Sequence, residues 1–347
     1  MQGLEAARGA YEVAQAKEAQ LKALSKSKNF DTAAAYALQD DIRHCYADVL
    51  AADPLFAATN DVEMALWRSC YYKRIEDFRK RTRKYANHAV PSGDALAREH
   101  LHRICMDFQR FLADATAFYA TLLTAYDAEL AHLRQQLQLA PHEGSHPESA
   151  RIDKLSQSIH RCLIFMGDLA RYRELHSEAQ TPDWSHAEQY YQRALAAMPH
   201  GGNPHNQMAV LATYTDAECV AVYRYCRSLL IRHPFMTARE NLALLFEKNK
   251  QKLAEEEAAG AASGELRGRT LSNSKGAGGR GNTGALLKSF LRRFVRLHGI
   301  LFSADPEGLA QFGGMFSAVI CDFRTLLYYS AFGDALLLKM VVICTFT

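Results

Sequence analysis

The chain reads as an all-α protein, and three observations predict it. Apolar residues recur at i, i+3 and i+4 over long stretches, prolines fall between those stretches, and no run alternates with period two for long enough to make a strand. In order, the period predicts helices over 4–24, 32–51, 61–85, 94–139 and 151–176. Pro54, Pro91, Pro141 and Pro147 punctuate them. Asp61 precedes an apolar run with Glu63 in its first turn, which marks a helix start.

From 184 onward the pattern repeats. "WSHAEQYYQRALAAMP" ends at Pro199 and "DAECVAVYRYCRSLLIRHP" ends at Pro234, so the prolines are spaced as Tyr190 and Tyr225 are. A small residue, a tyrosine and a closing proline at a spacing of roughly 34 residues match a helix–turn–helix repeat of the tetratricopeptide type. Between 254 and 284 the period is lost in Gly- and Ser-rich sequence, which predicts a flexible loop. Helix resumes at "ALLKSFLRRFVRLHGILF" and again over 315–331.

The bulk numbers bound the function. The 347 residues suffice for two domains with real cores. With 48% hydrophobic and 23% charged residues the composition is that of an ordinary globular protein, and a net charge of +3 makes any anion site a local one. Eight cysteines are scattered without a C-x-x-C pair, so neither a zinc ribbon nor a redox motif is expected. The N-terminal stretch lacks the apolar core of a signal peptide, and the run "ALLLKMVVICTFT" is too short to span a bilayer. A reducing cytoplasmic or nuclear setting is the expectation.

Short catalytic motifs fail in context. "HEGSH" at 142–146 matches H-E-x-x-H, but Pro141 and Pro147 bracket it and Gly144 interrupts it, so its two imidazoles are not expected to share a helix face. No phosphate-cradling glycine loop follows a strand, and no carboxylates cluster for a two-metal site. No enzyme, cofactor or metal is expected.

One segment stands apart. "WRSCYYKRIEDFRKRTRK", 67–84, sets eight Lys or Arg against two acids. On a helix Trp67, Tyr71, Ile75 and Phe78 form an apolar stripe, while Arg68, Tyr72, Arg79 and Arg83 form another with Lys73, Lys80 and Lys84 beside it. Charge runs are commonly solvated faces. A second segment, "CLIFMGDLARYRE" at 162–174, brings Arg171, Tyr172 and Arg173 to the end of an apolar helix, with Gly167 permitting close approach of a neighbour and Asp168 placed to orient an arginine. An Arg–Tyr pair facing arginines of another helix makes a pocket for a tetrahedral anion: guanidinium forks bind phosphate and the phenol adds a directed hydrogen bond. Replacing Arg171 by Glu is expected to abolish such binding with little effect on thermal unfolding.

"GDLARYR" (167–173), "NPHNQMAVLA" (203–212) and "VYRYCRSLLIRHPFMTARENL" (222–242) resemble the Smg/Est family, whose members are nonsense-mediated mRNA decay adaptors and telomerase-associated factors. "LWRSCYYKRIEDFR", "ALLKSFLRRFVRLHG" and "FRTLLYYSAFGDALLLKMVVICTF" fit the same pattern. The resemblance implies a 14-3-3-like helical bundle completed by tetratricopeptide-like hairpins over 1–233, then a helical-hairpin domain over 234–347. It implies binding of a phosphoserine or phosphothreonine peptide, in decay adaptors that of the phosphorylated Upf-type RNA helicase. It places Arg171 and Tyr172 at the Arg–Tyr of the phosphate pocket and Arg79 at its second basic position. Tyr72 departs from the lysine of the pattern, so Lys73 or Arg68 is left to supply that charge.

Two other functions compete. A telomerase-associated protein would bind single-stranded RNA or DNA through basic residues of 288–298 and Arg267, Arg269, Lys275 and Arg280, although Phe290, Leu291, Phe294, Leu297 and Leu301 repeat at core spacing. A scaffold pairing with a paralogue would use the first helix, with Leu4, Tyr11, Leu21 and Leu24 as its apolar residues.

Overall fold

The computed structural model describes residues 2–26, 31–92, 95–139, 147–177, 179–262, 279–304 and 306–347. All regular structure among them is helical; an isolated bridge between Gly201 and His233 is the one β-type pairing. The protein is all-α. Its contacts divide it into two compact units, Met1–Pro199 and His200–Thr347, whereas the resemblance implies a first domain over 1–233.

The first unit is built from α1 (Gln2–Leu24), α2 (Thr32–Ala52), short α3 (Pro54–Thr59) and α4 (Val62–Leu66), α5 (Lys73–Ser92), α6 (Ala95–Leu139), α7 (Pro147–Leu175) and α8 (Ser185–Ala197). Local chemistry sets the starts. Asp31 accepts from the backbone N–H groups of Ala33 and Ala34, and Asp53 caps Phe56 with Pro54 in the first turn. Asp61 adopts a left-handed conformation (φ 52°) and its side chain caps no backbone N–H; its carboxylate pairs with Arg161 at 3.2 Å. Glu63 is fully buried, accepting from the Tyr126 hydroxyl at 2.7 Å and pairing with Arg161 at 3.2 Å. First-turn position marked Glu63 as a helix-start residue, but its work is to tie α4 to α6 and α7.

Between α4 and α5 the chain winds as a π-helix, Trp67–Tyr72. This wider turn rotates the residues after it relative to an ideal α-helix. Trp67 and Tyr71 remain in the core with Ile75 and Phe78. The Trp67 ring lies parallel to Phe165 of α7 at 4.5 Å, and Phe78 stacks on Phe108 of α6 at 4.9 Å. Helices α7 and α8 run antiparallel: His160 Nδ1 lies 2.8 Å from the carbonyl of Ala194, and Tyr191 packs across Gly167.

The second unit contains α9 (Asn203–Tyr214), α10 (Glu218–Leu230), α11 (Thr237–Ala262), α12 (Gly279–Ser303), α13 (Pro306–Tyr328) and α14 (Asp334–Phe346). Its core gathers Val222, Tyr225, Leu242, Phe246, Phe290, Phe294 and Val295. Of the loop expected over 254–284, residues 254–262 belong to α11 and 279–284 to α12, and 263–278 lie outside the described residues. Ala and Glu at 254–262 carry α11 onward because both are strong helix formers, and α12 begins at Gly279. The helix expected over 315–331 begins earlier, at Pro306, and α14 follows a left-handed Ser330 (φ 49°). Residues 142–146, Arg267, Arg269 and Lys275 lie outside the described residues, as does the side chain of Arg280.

The repeat is only partly what its spacing suggested. Tyr225 is buried, but its sequence counterpart Tyr190 is half-buried; the next residue, Tyr191, fills the core instead. All eight cysteines are free. No helix is long and apolar enough to cross a membrane among the described residues.

Candidate functional site

Three of the five residues singled out from the sequence come together in the first unit. The guanidinium carbon of Arg171 lies 4.4 Å from the centre of the Tyr172 ring, and that of Arg79 lies 5.3 Å from it. Cations within roughly 6 Å of an aromatic centroid are attracted by the ring quadrupole. Helices α5 and α7, far apart in sequence, thus deliver two positive charges to one phenol.

The members differ in what holds them. Arg171 is 7% exposed: its Nη2 donates to Asp168 Oδ1 at 3.0 Å and its Nε reaches the Tyr191 hydroxyl at 3.4 Å. Tyr191 in turn donates to Asp168 Oδ1 at 2.7 Å. Tyr191 is seated by Gly167, where a Cβ would come within 2.3 Å of its ring. Asp168 orients the arginine as its spacing suggested, and α8 supplies a tyrosine the sequence did not single out. The only signal for it was the glycine facing it. The expectation that Arg171 can be reversed in charge without loss of stability is overturned, because Glu there would bury a second carboxylate beside Asp168.

Arg79 is half-buried and has no carboxylate at ion-pair distance among the described residues. Tyr72 is 38% exposed and donates to Glu76 at 3.2 Å. Burial holds the Tyr172 hydroxyl above its ordinary pKa, with Arg171 and Arg79 opposing, so the phenol stays protonated and able to donate. Beside it His176 packs against Phe108 at 4.9 Å; burial first and Arg79 second hold its pKa below the ordinary value. Gln109 donates to the backbone carbonyls of Arg173 and His176 at 3.0 and 2.8 Å and fixes the end of α7. Arranged so, two guanidinium groups and a protonated phenol form a donor set, with the carboxylate of Asp168 positioning Arg171.

Of the remaining two residues, Lys73 goes elsewhere. Lys73 is exposed and lines an open cleft with Gln15, Glu18 and Lys22 of α1 and Ser69, so it does not face Tyr172. Ser69 donates to Glu18 across that cleft. Arg68 is exposed on the π-helix with no carboxylate partner among the described residues. Of the basic segment, Arg74 and Arg81 are structural. Arg74 donates to Gln39, Asp40 and the Tyr36 carbonyl while its guanidinium lies 4.4 Å above the Tyr36 ring, and Arg81 pairs with Asp77 at 3.7 Å.

In the second unit the basic helix is α12. Arg292 pairs with Asp216 and Glu256, and Arg293 with Asp322. Phe290, Phe294 and Leu297 are buried, as core spacing required; Leu301, expected with them, is 42% exposed. Among the described residues no three His, Cys, Asp or Glu side chains converge as metal ligands would.

Comparisons with known proteins place this architecture. Residues 61–177 match the family model described as telomerase activating protein Est1, and 187–347 match the Est1 DNA/RNA binding domain. The chain is 32% identical over 294 residues to nonsense-mediated mRNA decay factor SMG7 of Arabidopsis thaliana, covering 76% of this chain and 27% of that one. It is 27% identical over 350 residues to telomerase-binding protein EST1A of Danio rerio, covering 89% of this chain and 22% of that one. It therefore spans about a quarter of the length of these relatives. A chain in the crystal structure of Est1 and Cdc13 shares the fold, with a TM-score of 0.65 at 14% identity over 96% of this chain and 63% of that one. With both Est1-type modules matched in order along the chain, the protein belongs to the Smg/Est family.

Proposed function

We propose that the first unit is a phosphopeptide-binding module and that the protein acts as a non-catalytic adaptor of nonsense-mediated mRNA decay, taking a phosphoserine or phosphothreonine peptide of a phosphorylated Upf-type RNA helicase. One observation carries this reading: Arg79 and Arg171, from helices distant in sequence, meet on Tyr172, and Arg79 has no carboxylate to neutralise it among the described residues. A phosphoryl group bears close to two negative charges at neutral pH and three acceptor oxygens. Arg79, half-exposed, meets it first; the Tyr172 hydroxyl donates to it; and Arg171, fixed by Asp168 and Tyr191, adds its field without reorganising. The relatives' names, decay factors and a telomerase-binding protein, favour a role in assembly over chemistry. A cytoplasmic and nuclear setting accords with those names.

The test is fluorescence anisotropy with matched phosphorylated and unphosphorylated helicase peptides. Binding is expected to require the phosphate and to fall at least tenfold in Arg79→Glu, with an unchanged melting temperature; equal affinity for both peptides would sink the reading. A second reading, single-stranded nucleic-acid binding, is favoured by the match of 187–347 to the Est1 DNA/RNA binding domain. The ion pairs of Arg292 and Arg293 leave α12 fewer uncommitted cations than its sequence suggests. Oligonucleotide affinity that drops steeply with salt would support that reading.

A further inference from the structure

The basic segment supplies more charge than one phosphate needs, and the surplus is ordered. Past Arg79, α5 presents Lys80, Arg83 and Lys84, all exposed, with no carboxylate at ion-pair distance among the described residues. The local acids are already committed: Asp77 accepts from Tyr36 and pairs with Arg81, and Glu76 accepts from Tyr72. This is therefore not a helix face of compensated pairs, which is what a merely solvated surface usually offers.

Geometry relates the surplus to the site. Arg83 lies one turn beyond Arg79, a rise of about 6 Å, about 40° around the helix; Lys80 and Lys84 form the adjacent row. An extended peptide advances about 3.3 Å per residue. A ligand whose phosphate rests at Arg79 and Tyr172 and whose chain tracks α5 thus sets the side chain two or three positions away over Arg83 and Lys84.

Resting on the phosphopeptide reading, we infer that this ridge is a specificity subsite: the protein selects phosphopeptides bearing a second anionic side chain, Asp, Glu or another phosphoresidue, two or three positions from the phosphate that Arg79 holds. Charge complementarity argues for the occupant. Each exposed pair adds little alone, but two or three acting together separate acidic-flanked from neutral-flanked peptides by about three- to tenfold at low salt. Because these groups are solvated, the preference shrinks at high salt while phosphate recognition at the more buried Tyr172 persists.

The experiment measures anisotropy on the full chain with a single-stranded oligonucleotide and four peptides of equal length: an unphosphorylated peptide with acidic flanks, a monophosphorylated peptide with Ala flanks, the same with Glu at both second and third positions, and a doubly phosphorylated form. Wild type is expected to rank the last two about three- to tenfold above the Ala-flanked peptide at low salt, with the gap closing as salt rises past the point where the screening length falls below about 5 Å. Arg83→Ala/Lys84→Ala is expected to level the ranking while still requiring one phosphate. If all phosphorylated probes bind alike, or the double variant keeps the ranking, the subsite is overturned and the pocket stands. If the unphosphorylated acidic peptide or a single-stranded oligonucleotide binds as well as the acidic phosphopeptide, the ridge is a general polyanion surface and both readings fall.

Discussion

Arg171 and Arg79 carry the same charge but different duties. Arg171 is a buried half of an ion pair with Asp168, further held by Tyr191, and so it is a structural residue as well as a member of the proposed site. Removing one partner of a buried pair leaves the other uncompensated, which costs on the order of 3–5 kcal/mol. Because Tyr191 still donates to Asp168, Arg171→Ala is expected to lose about 2–4 kcal/mol, read as a shifted urea midpoint. Arg79→Ala, without a carboxylate partner, should shift the midpoint by less than about 0.5 kcal/mol, the range of ordinary surface substitutions. A larger loss at 79 than at 171 would contradict this division. Arg171 and Tyr172 were singled out by residue type, since a guanidinium group and a phenol suit a tetrahedral anion, and Arg79 by the family resemblance; that the three meet on one ring is a fact of the tertiary structure. Tyr191 and His176 were not legible, because nothing in an isolated tyrosine or histidine reports the neighbour it will meet. Lys73, offered with Arg68 as a source of the missing charge, stays where an ideal helix puts it, turned away from Tyr72 toward the cleft with α1.

Winding is decided at the level of the element. A six-residue π-helix precedes α5, on which Lys73 faces α1 and Arg79, about 120° around the helix, faces Tyr172 of α7. Periodicity reads a helix but not its local pitch, and the apolar stripe of Trp67, Tyr71, Ile75 and Phe78 stays buried under either winding. The contact of α7 with α8 is likewise an element property, made in part by Tyr191 packing against Gly167. Gly167→Ala places a methyl group where the ring is, and overpacking of this kind costs roughly 1–3 kcal/mol. The substitution should also displace Tyr191 from Asp168 and Arg171, so phosphopeptide affinity is expected to fall by more than the stability loss alone explains. Comparing peptide affinity and unfolding midpoint in Gly167→Ala and Arg171→Ala checks this. The helix α14 hid from periodicity because apolar residues surround it: Leu338 and Val341 are exposed while Met340 and Ile343 are buried.

Across the whole molecule the buried histidines set an acid limit. Burial lowers His205 and His298 to about 4, with Arg224 adding to the effect on His205, and His160 and His176 shift the same way. A histidine depressed in the folded state takes up its proton on unfolding. Its contribution is complete above about pH 6.5, the unfolded value, and is lost as pH falls toward 4. At about pH 5, His205 and His298 are expected to have lost about 2 kcal/mol each relative to neutral pH. Urea unfolding at the two pH values measures the sum, and a midpoint unchanged between them would refute the buried, neutral assignment.

By itself the sequence determined the helical class, most helix positions, the basic segment and the Arg–Tyr pair, because period, proline spacing and residue chemistry are local properties of a chain. Tertiary structure alone decided that Arg79 and Arg171 share one ring, that Tyr191 and Asp168 hold the second of them, and that Lys73 lines a cleft with α1. Those facts depend on helix pitch and on which side chains fill the space between helices, and packing of that kind is settled by the fold as a whole rather than by any stretch within it.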